Sequence, residues 1–191
     1  AARVAAFSAN AHITYREDTH EWSVAGDPTE AALLVFAEKA RVLRSDLLSA
    51  YPLLHEVPFS YETKYHATVH DVDGRAFTAV VGSPDEVVAL CQTRWSNHDA
   101  HAKITREDRE EINQALATMA ESGLRVLAFA IGEGNIKHSG KPEQKNLTFV
   151  GLYGMKDGLR AEVHEALSLA RDAGAKVVMI TGDHVITARA I

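Results

Sequence analysis

The sequence predicts an α+β fold, in which an antiparallel sheet is flanked by helices and followed by a shorter β-α-β segment. Three observations lead to this prediction. An Asp73-Gly74 pair lies between two β-rich runs, which is a strong hairpin signal. Helix starts with a proline in the first turn occur at Pro28 and Pro84. The run Lys176–Ile180 follows a helical stretch and is short and apolar, as buried parallel strands are.

The elements before the hairpin alternate between helix and strand. Residues 1–10 show an apolar helical pattern, and Trp22–Ala25 is short and strand-like. A longer helix follows, which residues 45–50 continue or restart. Leu53–Phe59 has the composition of a strand and leads into the hairpin.

The helix after Trp22–Ala25 has a well-marked start. Asp27 is a good N-cap, and Pro28 suits the first helical position. Glu30 stands at the third helical position, where it can complete a capping box with Asp27. The following turns place apolar residues on one predicted face: Ala32, Leu33, Phe36, Ala40 and Leu43.

Behind the hairpin the same start signal returns. Ser83 precedes Pro84, and a helix is predicted from there through Cys91. Residues 93–103 are polar and predict a loop.

A second, longer helix is predicted after that loop. Thr105 caps it and Gly123 is its expected stop, with Ile112, Leu116 and Met119 on one face. Strands at 124–131 and 147–153 then enclose a polar segment at 132–146.

The pattern changes after this second strand. Residues 161–173 are helical, Gly174 stops the helix, and Thr181-Gly182-Asp183 turns into a further helix after the apolar run. This β-α-β-α order differs from the preceding meander, so we predict two domains, 1–153 and 154–191, the second incomplete. The chain opens within an apolar helical pattern and stops inside a helix only just begun, so we expect a fragment of a longer protein.

Bulk properties exclude several classes of protein. The net charge of 191 residues is −6 and no basic block occurs, so no nucleic acid partner is expected. No apolar run approaches the length of about 20 residues that spans a membrane, so we expect no direct membrane insertion of this segment. Cys91 is the single cysteine, which excludes an internal disulfide and favours a small buried hydrophobe.

An aromatic residue and a cation precede the hairpin. Phe59 could stack on a planar heterocycle, and the ammonium of Lys64 could meet phosphate as a point charge. The two residues alone fit equally a half-buried Phe and a solvated Lys at a sheet edge. The pair therefore suggests one wall of a nucleotide site without establishing it.

Six short motifs add weight because they occur in a fixed order. They are GDPTE at 26–30, PFSYETK at 58–64, GSPDEV at 82–87, GLRVLAFA at 123–130, KDGLR at 156–160 and MITGDHVITARAI at 179–191. In this order the chain resembles the P-type cation-transporting ATPases along nearly its whole length. It looks like their cytoplasmic nucleotide-binding domain, running into a phosphorylation domain of the haloacid-dehalogenase-like type.

The resemblance implies roles for individual residues. Glu30 would contact the adenine amino group, Phe59 would stack on the base, and Lys64 would supply a cation. Gly82 would let backbone approach the adenine, and Arg125 would reach the phosphate side of the nucleotide. Without the resemblance, a helix cap explains Glu30 equally well and a solvated surface side chain explains Arg125.

One position departs from the family pattern. The family usually has a Lys in a K-G-A-P-E motif where this chain has Val81, followed by Gly82 and Ser83. The resemblance therefore implies one cation fewer in the nucleotide site and weaker or differently posed ATP.

The motifs near the end resemble the family's phosphorylation site. Asp157 and Arg160 match a D-P-x-R hinge that adjoins the nucleotide, while Thr181, Gly182 and Asp183 would form the periphery of the phosphorylation site. The family's phosphorylated Asp, in D-K-T-G-T, does not occur in these 191 residues. The resemblance thus implies that this polypeptide binds ATP but is catalytically inactive by itself.

The resemblance also implies cofactors, partners and location. ATP, with Mg²⁺ accompanying it in the full-length protein, would donate its γ-phosphate to drive cation transport. The partners would be the adenine nucleotide and the pump's phosphorylation, actuator and membrane domains. The parent would lie in a membrane with this soluble part on the cytoplasmic face, and no metal ligands are expected within the chain.

Other interpretations compete with this one. A haloacid-dehalogenase-type phosphatase fragment would share the β-α-β segment, but no D-x-D-G-T motif occurs. A metal-binding module is suggested by ten histidines, yet His98 and His101 lie in a polar stretch without Cys or clustered carboxylates. A purely structural interaction domain would leave four residues unrelated in space: Glu30, Phe59, Lys64 and Arg125.

Overall fold

The computed structural model describes residues 1–96, 101–133, 147–156 and 162–180. Its helices and strands, in chain order, are α1 (Ala2–Ser8), β1 (His12–Arg16), β2 (Glu21–Ala25), α2 (Pro28–Lys39), α3 (Arg44–Ala50), β3 (Leu53–Val57), β4 (Tyr65–Val72), β5 (Arg75–Gly82), α4 (Pro84–Leu90), β6 (Cys91–Arg94), β7 (Ala102–Lys103), α5 (Arg106–Glu121), β8 (Arg125–Glu133), β9 (Leu147–Met155) and α6 (Val163–Asp172).

A seven-stranded sheet in the order β3-β4-β5-β8-β9-β6-β7 forms the centre of the fold, and β1 and β2 form a separate antiparallel pair. The predicted α+β class is confirmed. Every pairing in the large sheet is antiparallel except β6 with β9, which is parallel. The sheet is therefore mixed, where the sequence predicted an antiparallel one.

The predicted hairpin joins β4 to β5 by a two-residue turn. Val72 pairs with Arg75, and Asp73 and Gly74 have φ of 53° and 78°. Two consecutive positive φ values define a type I′ turn, in which Asp and Gly are favoured because they tolerate the left-handed region. The Asp71 carboxylate accepts the N–H of Gly74 and closes the turn at 2.9 Å.

Two helical layers cover the sheet, one on each face. On the first face, α1 and α2 pack on Ala79, Val81 and Phe129. On the second face, α4 packs on Val80 and on the strands around it. Because side chains alternate along a strand, neighbouring residues of β5 serve opposite cores.

The predicted caps are largely confirmed for the longer helices. Thr105 and Asp108 form a reciprocal capping box at the start of α5, and Gly123 ends that helix with φ of 73°. The apolar face predicted for α2 is partly wrong, because the helix ends at Lys39. Its buried residues are Ala31, Leu33, Leu34 and Ala37, whereas Ala40 and Leu43 are exposed.

The loop predicted for residues 93–103 is wrong at both of its ends. Thr93 and Arg94 belong to β6 and pair with Lys103 and Ala102 of β7. β6 also pairs with β9, whose residues lie more than fifty positions later in the chain. The local sequence is polar, so only these remote partners make the segment a strand.

The last described segment differs from the rest. The predicted helix is present as α6 and Gly174 follows it with φ of 78°, but no residue of α6 is buried. The strand predicted at Lys176–Ile180 is not formed, and Ile180 is 94 % exposed. A strand exists only where a neighbour completes its hydrogen bonds, and no strand of the described ranges lies beside this run. Among helices in those ranges, none is both long and apolar enough to cross a membrane.

Candidate functional site

A cleft of about 220 Å³ opens where the end of α1 and the start of α2 meet the start of β4, the end of β5 and the start of β8. Apolar, hydroxyl and charged side chains share its lining. The lining residues are Ser8, Asp27, Thr29, Glu30, Leu33, Phe59, His66, Val81, Gly82, Arg125 and Leu127.

Four of the residues proposed from sequence meet in this cleft. They are Glu30, Phe59, Gly82 and Arg125, which come from four separate stretches of the chain. Lys64 is not part of the lining, and its side chain is exposed. The remaining candidates lie outside the described residues: Asp157, Arg160, Thr181, Gly182 and Asp183.

The start of α2 presents Glu30 to the cleft. Asp27 caps the helix by accepting the N–H groups of Thr29 and Glu30 at 2.7 and 3.3 Å. The other half of the predicted capping box differs. The Glu30 carboxylate accepts the backbone N–H of Asn10 through Oε2 at 3.0 Å, because the chain leaving α1 passes beside the start of α2.

The electrostatics of this helix start favour an ionised carboxylate cap. Burial acts to raise the pKa of Asp27. Hydrogen bonds from Thr29 and from the N–H of Glu30 outweigh burial, and with the charge of Arg125 they hold that pKa below its ordinary value. A helix N-terminus also favours negative charge. The lining of the cleft therefore combines the anionic carboxylate of Asp27 with the guanidinium of Arg125.

Phe59 offers an open aromatic surface to the cleft. Its side chain is 56 % exposed although it is large and apolar. The neighbouring Tyr61 meets it edge-on, with ring centroids 5.9 Å apart and an interplanar angle of 79°. A single edge-to-face contact leaves at least one face of Phe59 uncovered, so a planar molecule in the cleft can stack on that ring.

Gly82 lies at the end of β5, where the paired strand β4 comes very close to it. A Cβ at this position would lie 2.4 Å from the carbonyl oxygen of Lys64 and 2.5 Å from the Cβ of Tyr65. The same Lys64 carbonyl accepts the N–H of Ser83 at 2.8 Å. The glycine is thus required by the chain's own packing, and Lys64 adjoins the cleft through its backbone.

His66 is the lining residue that sequence reasoning missed most completely. It pairs across the sheet with Val81, and only 6 % of it is exposed. Its Nδ1 lies 2.8 Å from the carbonyl oxygen of Ser8, and its Nε2 lies 2.9 Å from Oε1 of Glu56. Both partners are acceptors, so both ring nitrogens donate when the ring is protonated.

His66 belongs to a wholly buried polar row on β4. The strand alternates apolar and polar residues, which predicts one wet face, yet every residue from 65 to 70 is buried. The polar side chains bond backbone carbonyls: His66 to Ser8, Thr68 to Phe7 and His70 to Tyr51. These carbonyls belong to the last turn of α1 or to the residue that caps α3, where helical partners run out. No local pattern indicates such remote partners.

Asn10 connects this row to the cleft. Its Nδ2 donates to Oε1 of Glu56 at 3.0 Å, and its Oδ1 accepts from Arg44 at 3.2 Å. Partial burial acts to raise the pKa of Glu56. Hydrogen bonds from His66 and Asn10 act the other way and, with the charge of Arg44, hold that pKa below its ordinary value. Glu56 is therefore an ionised acceptor shared by two donors.

The cleft residues can bind a planar polar molecule. The single cysteine, in contrast, is not suited to act as a nucleophile or a metal ligand. Burial raises the pKa of Cys91 to about 12, although Arg109 lowers it in part, and the thiol donates to the carbonyl of Val87 at 3.1 Å. A protonated, buried thiol is neither a nucleophile nor a metal ligand at neutral pH. Within the described ranges, no three His, Cys, Asp or Glu side chains group as metal ligands would.

Comparisons with known proteins show which family the chain is similar to. Residues 1–162 match the family described as P-type ATPase, cytoplasmic domain N. The chain is 40 % identical over 192 residues to the cation-transporting ATPase pma1 of Synechocystis sp., an alignment that covers 95 % of this chain and 20 % of that protein. It is 35 % identical over 170 residues to calcium-transporting ATPase 1 of Bacillus cereus, with 88 % and 19 % covered.

A third similar protein is the probable cation-transporting ATPase F of Mycobacterium bovis. The identity is 34 % over 181 residues, with 91 % of this chain and 19 % of that protein covered. The chain therefore spans about a fifth of the length of the curated relatives it matches.

Proposed function

This chain belongs to the family of P-type ATPase cytoplasmic N domains, and from that premise we propose that its cleft binds the adenine end of ATP. The parent protein would be a cation-transporting ATPase, and this chain would be its nucleotide-binding part. The names of the relatives give a general cation in two cases and calcium in another, so no ion is proposed.

The convergence of Glu30, Phe59 and Arg125 on one cleft carries the proposal. A carboxylate accepts hydrogen bonds, which suits the amino group of adenine. An open aromatic face suits the base plane, since every base can stack on an aromatic ring. A guanidinium at the edge suits phosphate oxygens. The three side chains thus suit the amino group, the base plane and the phosphate of an adenine nucleotide. They lie far apart in sequence but line one cleft.

The size of the cleft supports binding by the base alone. Sites that bury most of a drug-sized molecule measure about 300–1,000 Å³, whereas this cleft has about 220 Å³. The phosphates would then lie outside it. We expect a dissociation constant within about a decade of 1 mM, or roughly −4 kcal/mol, with little difference between AMP, ADP and ATP.

Phosphoryl transfer is proposed for the parent protein. ATP would donate its γ-phosphate to an Asp in D-K-T-G-T, a motif that these 191 residues do not contain. Mg²⁺ is expected to accompany the nucleotide, since it usually binds through substrate phosphates. The chain alone would then release no phosphate from ATP and form no acyl phosphate.

The arrangement of the parent is also proposed. Residues 1–153 would form the nucleotide-binding domain and residues 154–191 would begin the phosphorylation domain, with Asp157 and Arg160 near the nucleotide. Thr181, Gly182 and Asp183 would border the phosphorylation site. The actuator and membrane domains would be further partners, and this chain would lie at the cytoplasmic face of the membrane. No observation favours a haloacid-dehalogenase-type phosphatase.

A titration with Phe59→Ala tests the proposal, and Tyr61→Ala is a matched control. Tyr61 is 92 % exposed, adjoins Phe59 and is not part of the cleft lining. Stacking on an aromatic ring contributes about 1–3 kcal/mol per base, so Phe59→Ala should weaken ATP binding by that amount. Chemical-shift titration with ATP would measure all three proteins.

The outcomes are distinct. Saturable binding that Phe59→Ala weakens and Tyr61→Ala leaves unchanged supports the cleft as the adenine site. If the unmodified chain shows no saturable binding at ATP concentrations well above about 1 mM, the proposed nucleotide binding is wrong. Equal losses in both variants would move the site away from the cleft.

A further inference from the structure

Asn10 is the meeting point of three elements beside the cleft. Its backbone N–H donates to Glu30 of α2, its side-chain amide donates to Glu56 of β3, and its side-chain oxygen accepts from Arg44 of α3. The three bonds measure 3.0, 3.0 and 3.2 Å. Asn10, two positions after the end of α1, thus has both its backbone and its side chain engaged.

The segment that carries Asn10 is held from a second side. The carbonyl of Ser8, two residues earlier, accepts from buried His66 at 2.8 Å. His66 also contacts the same Glu56 oxygen that accepts from Asn10. Residues 8 and 10 are therefore tied to a common pair of side chains. The Asn10 N–H has a fixed place, and the carboxylate that accepts it is fixed in turn.

The orientation of the Glu30 carboxylate matters for base recognition. An ionised carboxylate can only accept hydrogen bonds. Position 6 of adenine carries an amino donor, whereas position 6 of hypoxanthine or guanine carries a carbonyl acceptor that a carboxylate repels. A carboxylate free to turn would discriminate less, because discrimination depends on a buried or oriented group left without its partner.

We propose that Asn10 is a positioning residue that holds the Glu30 carboxylate toward the 6-amino group and so sets the preference of the cleft for adenine. The inference rests on the proposed nucleotide binding. Asn10 acts through Glu30 and does not line the cleft itself. Its hydrogen bonds to Glu30, Glu56 and Arg44 are exposed to solvent, so its removal is expected to change recognition far more than folding.

The first experiment needs no nucleotide. Hydrogen exchange of the residue-10 amide is followed by NMR in the unmodified chain, Asn10→Ala and Glu30→Ala. Loss of the side-chain anchors in Asn10→Ala, or of the acceptor in Glu30→Ala, should speed that exchange several-fold while the amides of α1 stay protected. An unchanged rate at residue 10 in Asn10→Ala would overturn the positioning role.

The second experiment measures discrimination between ATP and ITP, which differ at position 6 of the base. The unmodified chain is expected to prefer ATP by about tenfold, and Asn10→Ala should reduce the ratio to about threefold or less. In a Glu30→Ala background, Asn10→Ala should have no further effect on the ratio. Asn113→Ala, an exposed Asn on α5, is the matched control and should keep the full ratio.

The two experiments separate the possible failures. Equal weakening of ATP and ITP by Asn10→Ala, at unchanged melting temperature, would overturn the recognition role. A further drop of the ratio in the Glu30→Ala background would show that Asn10 does not act through Glu30. Failure of the unmodified chain to bind either nucleotide would overturn the proposed function and the recognition role with it, whereas the exchange experiment would still decide whether Asn10 orders the segment.

Discussion

The two faces of β4 are buried to a similar degree and carry opposite chemistry. Tyr65, Ala67 and Val69 are buried in the second hydrophobic core with α4. On the opposite face, residues 66, 68 and 70 are His, Thr and His, and each is bonded to a backbone carbonyl at the C-terminal end of α1 or α3. One face of β4 therefore makes apolar contacts, which are non-directional, and the other face makes hydrogen bonds, which are directional.

The difference between the two faces shows which contacts require a precise geometry. An apolar contact stabilises the fold in proportion to the area it removes from water, and it tolerates small shifts. A buried polar row stabilises only the arrangement that satisfies its hydrogen bonds. The directional face of β4 is the face that ends at the cleft, through His66. The non-directional face holds the sheet on α4.

The largest effect is expected on the apolar side. Phe149 belongs to the second core and is 8 % exposed, so Phe149→Ala should lower the free energy of unfolding by about 3–5 kcal/mol. Because the cleft lies on the other face, the ATP affinity of the folded fraction should be unchanged. Urea unfolding and ATP titration would measure both. A weakened affinity together with the lost stability would show that the two faces are coupled.

A smaller loss of stability, with a loss of binding, is expected on the polar side. His66→Leu keeps a similar volume but leaves the Ser8 carbonyl without its side-chain donor and the Glu56 carboxylate with Asn10 alone. One unsatisfied buried group costs about 1–3 kcal/mol. The same variant should weaken ATP binding, because His66 lines the cleft. Unchanged ATP affinity at reduced stability would make His66 structural only.

Lowering the pH should reduce the stability that Glu56 contributes to the polar face of β4, and by less than His66→Leu reduces it. Since the pKa of Glu56 is lowered in the folded chain, its contribution to stability is complete above the unfolded value of about 4.3 and is lost as pH falls through the folded value. Glu56→Gln removes this titration. The stability difference between the two proteins should therefore shrink from about pH 6 to about pH 3. A constant difference over that range would contradict the lowered pKa.

The smallest effect is expected for Lys64, which lies beside the cleft but does not line it. Lys64→Ala should weaken ATP binding by less than about 1 kcal/mol, because an exposed charge is screened. Alanine keeps a Cβ at the φ of 55°, so the backbone strain at this position is unaltered. Lys103→Ala serves as the control. A loss larger than that of Phe59→Ala would reverse the proposed ranking.

Local signals in the sequence predicted much of the fold. The Asp73-Gly74 hairpin, the starts of α2 and α4 and the stop at Gly123 were predicted because turns and caps depend on neighbouring residues. Strands β6 and β7 were missed because remote pairing creates them. The strand expected at Lys176–Ile180 is absent for the same reason, since apolar composition alone does not supply a partner.

The candidate site shows the same division. The resemblance to a family brought together Glu30, Phe59, Gly82 and Arg125, and the structure places all four in one cleft. His66 escaped notice because its bond to Ser8 spans 58 positions. Its neighbours in sequence indicate only an alternating strand. Residues that recognise a ligand have recognisable motifs, whereas the residues that hold them depend on contacts that a single sequence does not reveal.

The close crossing at Gly82 limits how this cleft can change over evolutionary or laboratory time. Any side chain there would collide with Lys64 and Tyr65 before it met a ligand. Changes in the proposed base preference would therefore fall on the remaining wall, above all on positions 30, 59, 66 and 81. A library designed to convert the cleft to another nucleobase should keep glycine at 82 and place its diversity in those four codons, where Val81 and His66 form a facing pair.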